Sequence, residues 1–127
     1  MSDGVKLFRR DEAQFRRGLN GIAAHGLINA GFSKQMGAGV GVFDKCSVEW
    51  TLDYDEVLFI IDGNLRLHVS EKIYEAGAGD VLWIPAGTAI VYEATVRTPF
   101  FYAVAPVQNS ISTKEARSFP ESSPVTA

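Results

Sequence analysis

Between residues 21 and 104 the chain is a series of short stretches in which apolar and polar residues alternate, cut apart by glycine and aspartate. Val48, Trp50 and Leu52 alternate with Ser47, Glu49 and Thr51, and Leu65, Leu67 and Val69 alternate with Asn64, Arg66 and His68. Val40 and Val42 alternate with glycines. Successive side chains on a strand point to opposite faces, so this period of two marks strands with one buried face. No segment here keeps a helical period. Two stretches differ, because residues 57–61 and 81–84 are almost continuously apolar. Such runs suit strands covered on both faces, as when a sheet is sandwiched or a barrel dimerises.

Turn signals separate the stretches. Asp62-Gly63-Asn64 and Ser70-Glu71-Lys72 read as hairpin turns, and Gly77-Ala78-Gly79-Asp80 and Pro85-Ala86-Gly87-Thr88 punctuate the next two. Many short strands with turns at roughly 8–12-residue spacing predict an antiparallel sandwich or barrel. Gly37, Gly39 and Gly41 lack the Gly-Lys-Ser/Thr of a phosphate loop and read as strand bends at a barrel corner. The ends differ in character. Residues 11–17 fit one or two helical turns, with Phe8 and Phe15 offered to the core. From Pro106 onward the composition turns to Ser, Thr, Pro and charge, with a short helix expected over residues 113–117 and a mobile tail after it. The expected organisation is a single domain over residues 1–127, with a barrel core at about 20–106 and a tail or short helix at about 107–127.

With 127 residues and 46% hydrophobic composition, the chain can bury one core. Its net charge of −3 argues against nucleic-acid binding, which needs a basic stripe to neutralise phosphates. Cys46 is the single cysteine, so no intrachain disulfide forms, and it reads as a small buried hydrophobe. Residues 1–10 hold no apolar run suited to a signal peptide, and residues 57–61, the longest apolar run, are too few to span a bilayer. A cytoplasmic protein with no membrane or nucleic-acid partner is expected.

Two segments carry a recognisable grammar. Glu56 precedes Gly63 by seven positions, and Gly79-Asp80 leads through four apolar residues into Pro85-Ala86-Gly87. This resembles the two cupin motifs, G…HxH…E…G and G…PxG…H. The stretch Glu49-Trp50-Thr51-Leu52-Asp53-Tyr54-Asp55-Glu56 further resembles the cupin subfamily of ethanolamine utilisation protein EutQ, which has E-W-T-L-x-Y-D-E where ordinary cupins have HxH. The resemblance covers about residues 39–106 and implies an all-β, double-stranded β-helix (cupin or jelly-roll) barrel with short terminal extensions, forming a homodimer.

Position by position, the resemblance puts Glu49, Thr51, Glu56 and Ile90 where an ordinary cupin has its metal ligands. Isoleucine cannot ligate, threonine is a poor ligand without imidazole partners, and two carboxylates alone suit magnesium or calcium rather than iron. No metal cofactor is therefore expected. Alternation alone would bury Val48, Trp50 and Leu52 and leave Glu49 and Thr51 in water. The resemblance reverses this, placing Glu49 and Thr51 inside and leaving Trp50, Val48 and Leu52 as an apolar patch for a dimer partner. We take the reversed register as the expectation.

The candidate site residues are then Glu49, Tyr54, Asp55 and Glu56. Carboxylates crowded in a partly dry pocket raise one another's pKa and can exchange protons near neutral pH. Tyr54 would orient a substrate oxygen or simply pack, Asp55 is either a catalytic or a turn-stabilising aspartate, and Glu56 is either the central site residue or a hydrogen-bonded structural glutamate. By resemblance, the expected function is action on, or binding of, a small carboxylate, acyl phosphate or amine in an acidic pocket. Acetate-kinase-like transfer with magnesium-ATP is what the family association implies, with Lys45, Arg66 and Arg97 as positional candidates for the cationic clamp. The alternatives are a non-catalytic dimeric accessory protein that binds a small molecule and a diverged metal-dependent lyase or isomerase using Glu49 and Glu56.

Overall fold

The computed structural model describes residues 3–9, the backbone of residues 16–17, and residues 21–107. These residues form ten strands and no helix: β1 (Arg16–Arg17), β2 (Ile22–Ile28), β3 (Gly37–Phe43), β4 (Cys46–Thr51), β5 (Asp55–Ile60), β6 (Asn64–Val69), β7 (Lys72–Gly77), β8 (Val81–Ile84), β9 (Ala89–Ala94) and β10 (Thr98–Ala105). The strands make a six-stranded sheet in the order β1-β2-β3-β10-β5-β8 and a four-stranded sheet in the order β4-β9-β6-β7. Every pairing is antiparallel. From β3 onward the chain changes sheet at each connection except the β6–β7 hairpin, which winds the two sheets into a jelly roll.

The expectations that fail do so for local reasons. Asp62-Gly63-Asn64 is not a hairpin, because β5 and β6 lie in different sheets. Gly63 is required there twice over, by a φ of +82° and because a Cβ would sit 2.5 Å from both the Arg97 carbonyl oxygen and the Thr98 hydroxyl. Thr98 is fully buried under this turn, and its hydroxyl accepts the Asn64 N–H at 3.1 Å. The β3 glycines are not bends. The strand runs unbroken beside β10, where Gly39 faces Tyr102 and Gly41 faces Phe100, and a Cβ would lie 2.6 Å from the Tyr102 hydroxyl or 2.5 Å from the Phe100 ring. The missing side chains let these rings lie flat on the strand. Arg16–Arg17 is extended rather than helical and Phe8 is exposed, whereas Phe15, the helix expected over residues 113–117 and the tail lie outside the described residues.

Aromatic rings fill the space between the sheets. Phe43 stacks on Phe100 with centroids 4.3 Å apart and tilts against Tyr92 at 5.1 Å. Aliphatic side chains from both sheets, among them Leu58, Ile60, Leu65 and Leu67, complete the core. Cys46 belongs to it, and burial pushes its thiol up to about 11, which keeps it protonated and unreactive at neutral pH. The outer face of the six-stranded sheet is unlike an ordinary solvated face. In register across β3, β10, β5 and β8 it presents Val40, Phe101, Phe59 and Val81, and beside them Ala103, Val57 and Trp83. Trp83 and Val81 are 63% and 61% exposed. The continuous apolar runs at residues 57–61 and 81–84 are thus explained on one face by the core and on the other by this uncovered patch.

Candidate functional site

The site begins with the register of β4 on β9. Val48 stands opposite Tyr92 and Trp50 opposite Ile90, while Glu49 stands opposite Val91 and Thr51 opposite Ala89. Opposed residues of an antiparallel pair share a face. Tyr92 and Ile90 are buried, so Val48, Trp50 and Leu52 turn inward and Glu49 and Thr51 point out to solvent. The expectation that Glu49 and Thr51 line the interior is therefore corrected, as is the apolar patch of Trp50, Val48 and Leu52 on the outside. Alternation was the better guide to this strand than the positional resemblance.

Residues 52–54 then carry the chain across to the other sheet, where β5 begins with Asp55 exposed and Glu56 turned inward. Asp55 Oδ1 accepts the Ala86 N–H at 2.8 Å, and Gly87 N–H donates to the Leu52 carbonyl at 2.7 Å. These bonds latch the crossing to the turn that contains Pro85-Ala86-Gly87. Asp55 is a turn-stabilising residue in this structure. Glu56 stands between Val104 and Ile84 on the inner face and is 3% exposed. Across the interior, the Tyr92 hydroxyl donates to Glu56 Oε1 at 2.8 Å. Tyr54 is buried nearby in the core cluster.

Electrostatics follows from this placement. Burial pushes the Glu56 carboxyl from 4.5 up to about 7, only partly offset by the hydrogen bond from Tyr92. The cause is loss of water and not the crowding of carboxylates expected from the sequence, because Glu49 and Asp55 face away. Tyr92 is pushed well above its ordinary value by burial first, then by the charge of Glu56 and the neighbouring Tyr54. It stays protonated and remains a donor to Glu56 through the neutral range. The structure thus brings Glu56 and Tyr54 together with Tyr92, a residue that is not among the candidates read from the sequence. Its signal was its place two positions after Ile90, on the same face of the same strand. The indole Nε1 of Trp50 is buried and finds no acceptor among the described residues.

The inner positions that surround Glu56 do not fit a cupin metal. Trp50, Leu52 and Ile90 offer no ligand atom, and a single carboxylate is too few for a divalent site. Among the described residues no group of three or more His, Cys, Asp or Glu side chains is placed to hold a metal ion. His68 lies on the outer face of the four-stranded sheet, where its Nε2 is 2.7 Å from Glu93 Oε1. Arg66 occupies the same face, 3.6 Å from Glu75 and 3.9 Å from Glu93. Lys45 and Arg97 are exposed. Glu56 and Thr98 are the buried polar or charged residues among those described, so no cation accompanies Glu56 into the core.

The family model for ethanolamine utilisation protein EutQ matches residues 9–110. The chain belongs to the EutQ family. Among this EutQ-family chain's curated relatives, the acetate kinase EutQ of Escherichia coli K12 is 29% identical over 108 residues, covering 81% of this chain and 46% of the relative. The acetate kinase EutQ of Salmonella typhimurium is 30% identical, covering 81% of this chain and 47% of the relative. The chain thus spans about half the length of these relatives. A crystal structure of a putative ethanolamine utilization protein from Salmonella typhimurium superimposes with a TM-score of 0.77 at 28% identity, covering 83% of this chain and 89% of that one. An RmlC-like cupin from Shewanella frigidimarina superimposes with a TM-score of 0.71 at 16% identity, covering 87% and 97%, a likeness of fold alone. The all-β jelly-roll expectation and the EutQ resemblance both hold. Among the described residues no helix is long and apolar enough to cross a membrane.

Proposed function

We propose that this EutQ-family cupin binds a small carboxylic acid at the end of its barrel where β4 crosses to β5, and exchanges a proton with it through Glu56. The observation that carries this reading is the Glu56 carboxyl itself, buried, held by Tyr92 at 2.8 Å and raised to about 7. A carboxyl that is half protonated near neutral pH can donate to a ligand carboxylate, whereas an ionised one would repel it. The curated relatives are called acetate kinase, which names a small carboxylate. Phosphoryl transfer needs cationic clamps on the phosphate. Lys45, Arg66 and Arg97 stay outside the interior, so the described residues favour binding and proton exchange over phosphotransfer. An amine ligand loses its argument too, since Glu56 is the one buried carboxyl among the described residues and no acidic cluster accompanies it.

Calorimetric titration of the chain with sodium acetate at pH 6 and pH 8, with ethanolamine as the counter-probe, tests this. Acetate should bind at pH 6 and bind about tenfold more weakly at pH 8, because binding takes the protonated carboxyl. Ethanolamine should not bind. Ethanolamine binding that strengthens with pH, or no acetate binding at either pH, would overturn the reading.

We further propose that two copies pair through the outer face of the six-stranded sheet. Its contiguous Phe59, Phe101, Val81 and Trp83 offer roughly several hundred Å² of apolar surface, which approaches the ~800 Å² per partner of a stable interface. Patches of that kind on a soluble domain mark association sites.

A further inference from the structure

Among the described residues two buried side-chain nitrogens lack a hydrogen-bond partner, Arg66 Nε on the outer face of the four-stranded sheet and the indole Nε1 of Trp50, which packs against the core. An indole N–H is a donor only, and leaving it buried without an acceptor costs the full desolvation of the group. The Trp50 Nε1 is nonetheless buried and unpartnered among the described residues, although the residue as a whole is half-buried and packs on the core. The register places it. Trp50 is opposite Ile90 on the inner face, and the next inward residue of β9 is Tyr92, whose hydroxyl holds Glu56. Trp50 and Glu56 flank the crossing at residues 52–54, one on each sheet, so they stand at the same end of the barrel. Trp50 as a residue is only half-buried whereas Glu56 is buried, so an approach to Glu56 from this end would pass beside Trp50.

Resting on the reading of Glu56 given above, we propose that the Trp50 indole N–H is a ligand-binding donor of this site and takes one oxygen of a small carboxylate. The second oxygen of the same carboxylate then meets the protonated Glu56 carboxyl. The pair of donors explains selectivity as well as binding. A donor-only indole cannot engage an ammonium group, so the site prefers a carboxylate over an amine of equal size. It also accounts for a tryptophan at a position where a leucine or phenylalanine would pack without leaving a donor unpaired.

The test is proton–nitrogen correlation NMR of the full chain. The sequence has two tryptophans, Trp50 and Trp83, and W50F assigns the two indole signals by removing one. Added sodium acetate at pH 6 should move the Trp50 indole signal saturably downfield and leave that of the exposed Trp83 in place. W50F should weaken acetate binding about tenfold in calorimetry, the loss of one hydrogen bond to a charged acceptor. If acetate binds and neither the Trp50 signal nor the W50F affinity changes, Trp50 is only a packing residue and the Glu56 reading stands without it. If acetate does not bind to the wild type, both fall together. If W50F folds poorly, W83F assigns the two signals instead, because Trp83 is exposed, and the wild-type titration decides the matter.

Discussion

The E56Q variant is expected to be more stable than the wild type above pH 7, by roughly 3 kcal/mol, and equally stable near pH 4.5 and below. Glu56 keeps its proton up to about 7 in the folded chain but releases it near 4.5 when unfolded. Between these values the folded state binds more protons than the unfolded state, so wild-type stability falls as pH rises through this window. It is fully retained below 4.5 and levels off above 7. Glutamine is neutral throughout, keeps a carbonyl for the Tyr92 hydroxyl, and so abolishes the fall. Urea melts at pH 5 and pH 8, at one fixed protein concentration, give the comparison. Glu93 does not confuse it. Its carboxyl is held below the usual range by the hydrogen bond with His68 and the charge of Arg66. Its contribution is present above 4.5 and is lost only as pH falls through that lowered value. Equal stability of E56Q and wild type at pH 8 would show that Glu56 ionises without penalty in the core.

The wild-type chain is expected to sediment as a dimer at micromolar concentration, and W83E as a monomer. Trp83 and Phe59 stand on adjacent strands of the same outer face, and neither contributes to the core. A charge there costs the fold little, but it puts an unpaired carboxylate against the apolar surface of the second copy. Loss of a central tryptophan from an interface typically costs 2 kcal/mol or more, which is about thirtyfold or greater in affinity. Sedimentation velocity of both proteins over a concentration series measures this directly. A monomeric wild type, or a W83E protein that still dimerises, would remove this face as the interface. Either outcome leaves the interior site untouched, since Trp83 and Glu56 lie on opposite faces of the sheet.

Much of this architecture is written in local pattern. The alternation of Leu65, Leu67 and Val69 gives both the strand and its buried face, and the unbroken apolar run at residues 57–61 announces two apolar faces. What pattern does not carry is partnership between distant strands. Gly63 signals a positive φ, but a glycine turn looks the same whether the next strand pairs with the last or crosses to the other sheet. Gly39 and Gly41 look like bends until β10 supplies the rings that need their space. The octapeptide from Glu49 to Glu56 drew attention to the segment that carries the buried Glu56. The register was misjudged by one residue, and on a strand one residue exchanges every inward side chain for an outward one. That slip exchanged Trp50 and Leu52 for Glu49 and Thr51. Tyr92 was hidden because its role depends on a hydrogen bond across the barrel, 36 residues from Glu56 in sequence. No local spacing reports such a contact.

The most direct test of the proton-exchanging site is a carbon-detected NMR titration of the Glu56 side-chain carboxyl, assigned with E56Q, from pH 4 to pH 9. A midpoint near 7 that moves higher with acetate present is the expected result, since a bound carboxylate favours the protonated partner. A midpoint near 4.5, unmoved by acetate, would contradict it and leave Glu56 as an ordinary carboxylate in contact with water.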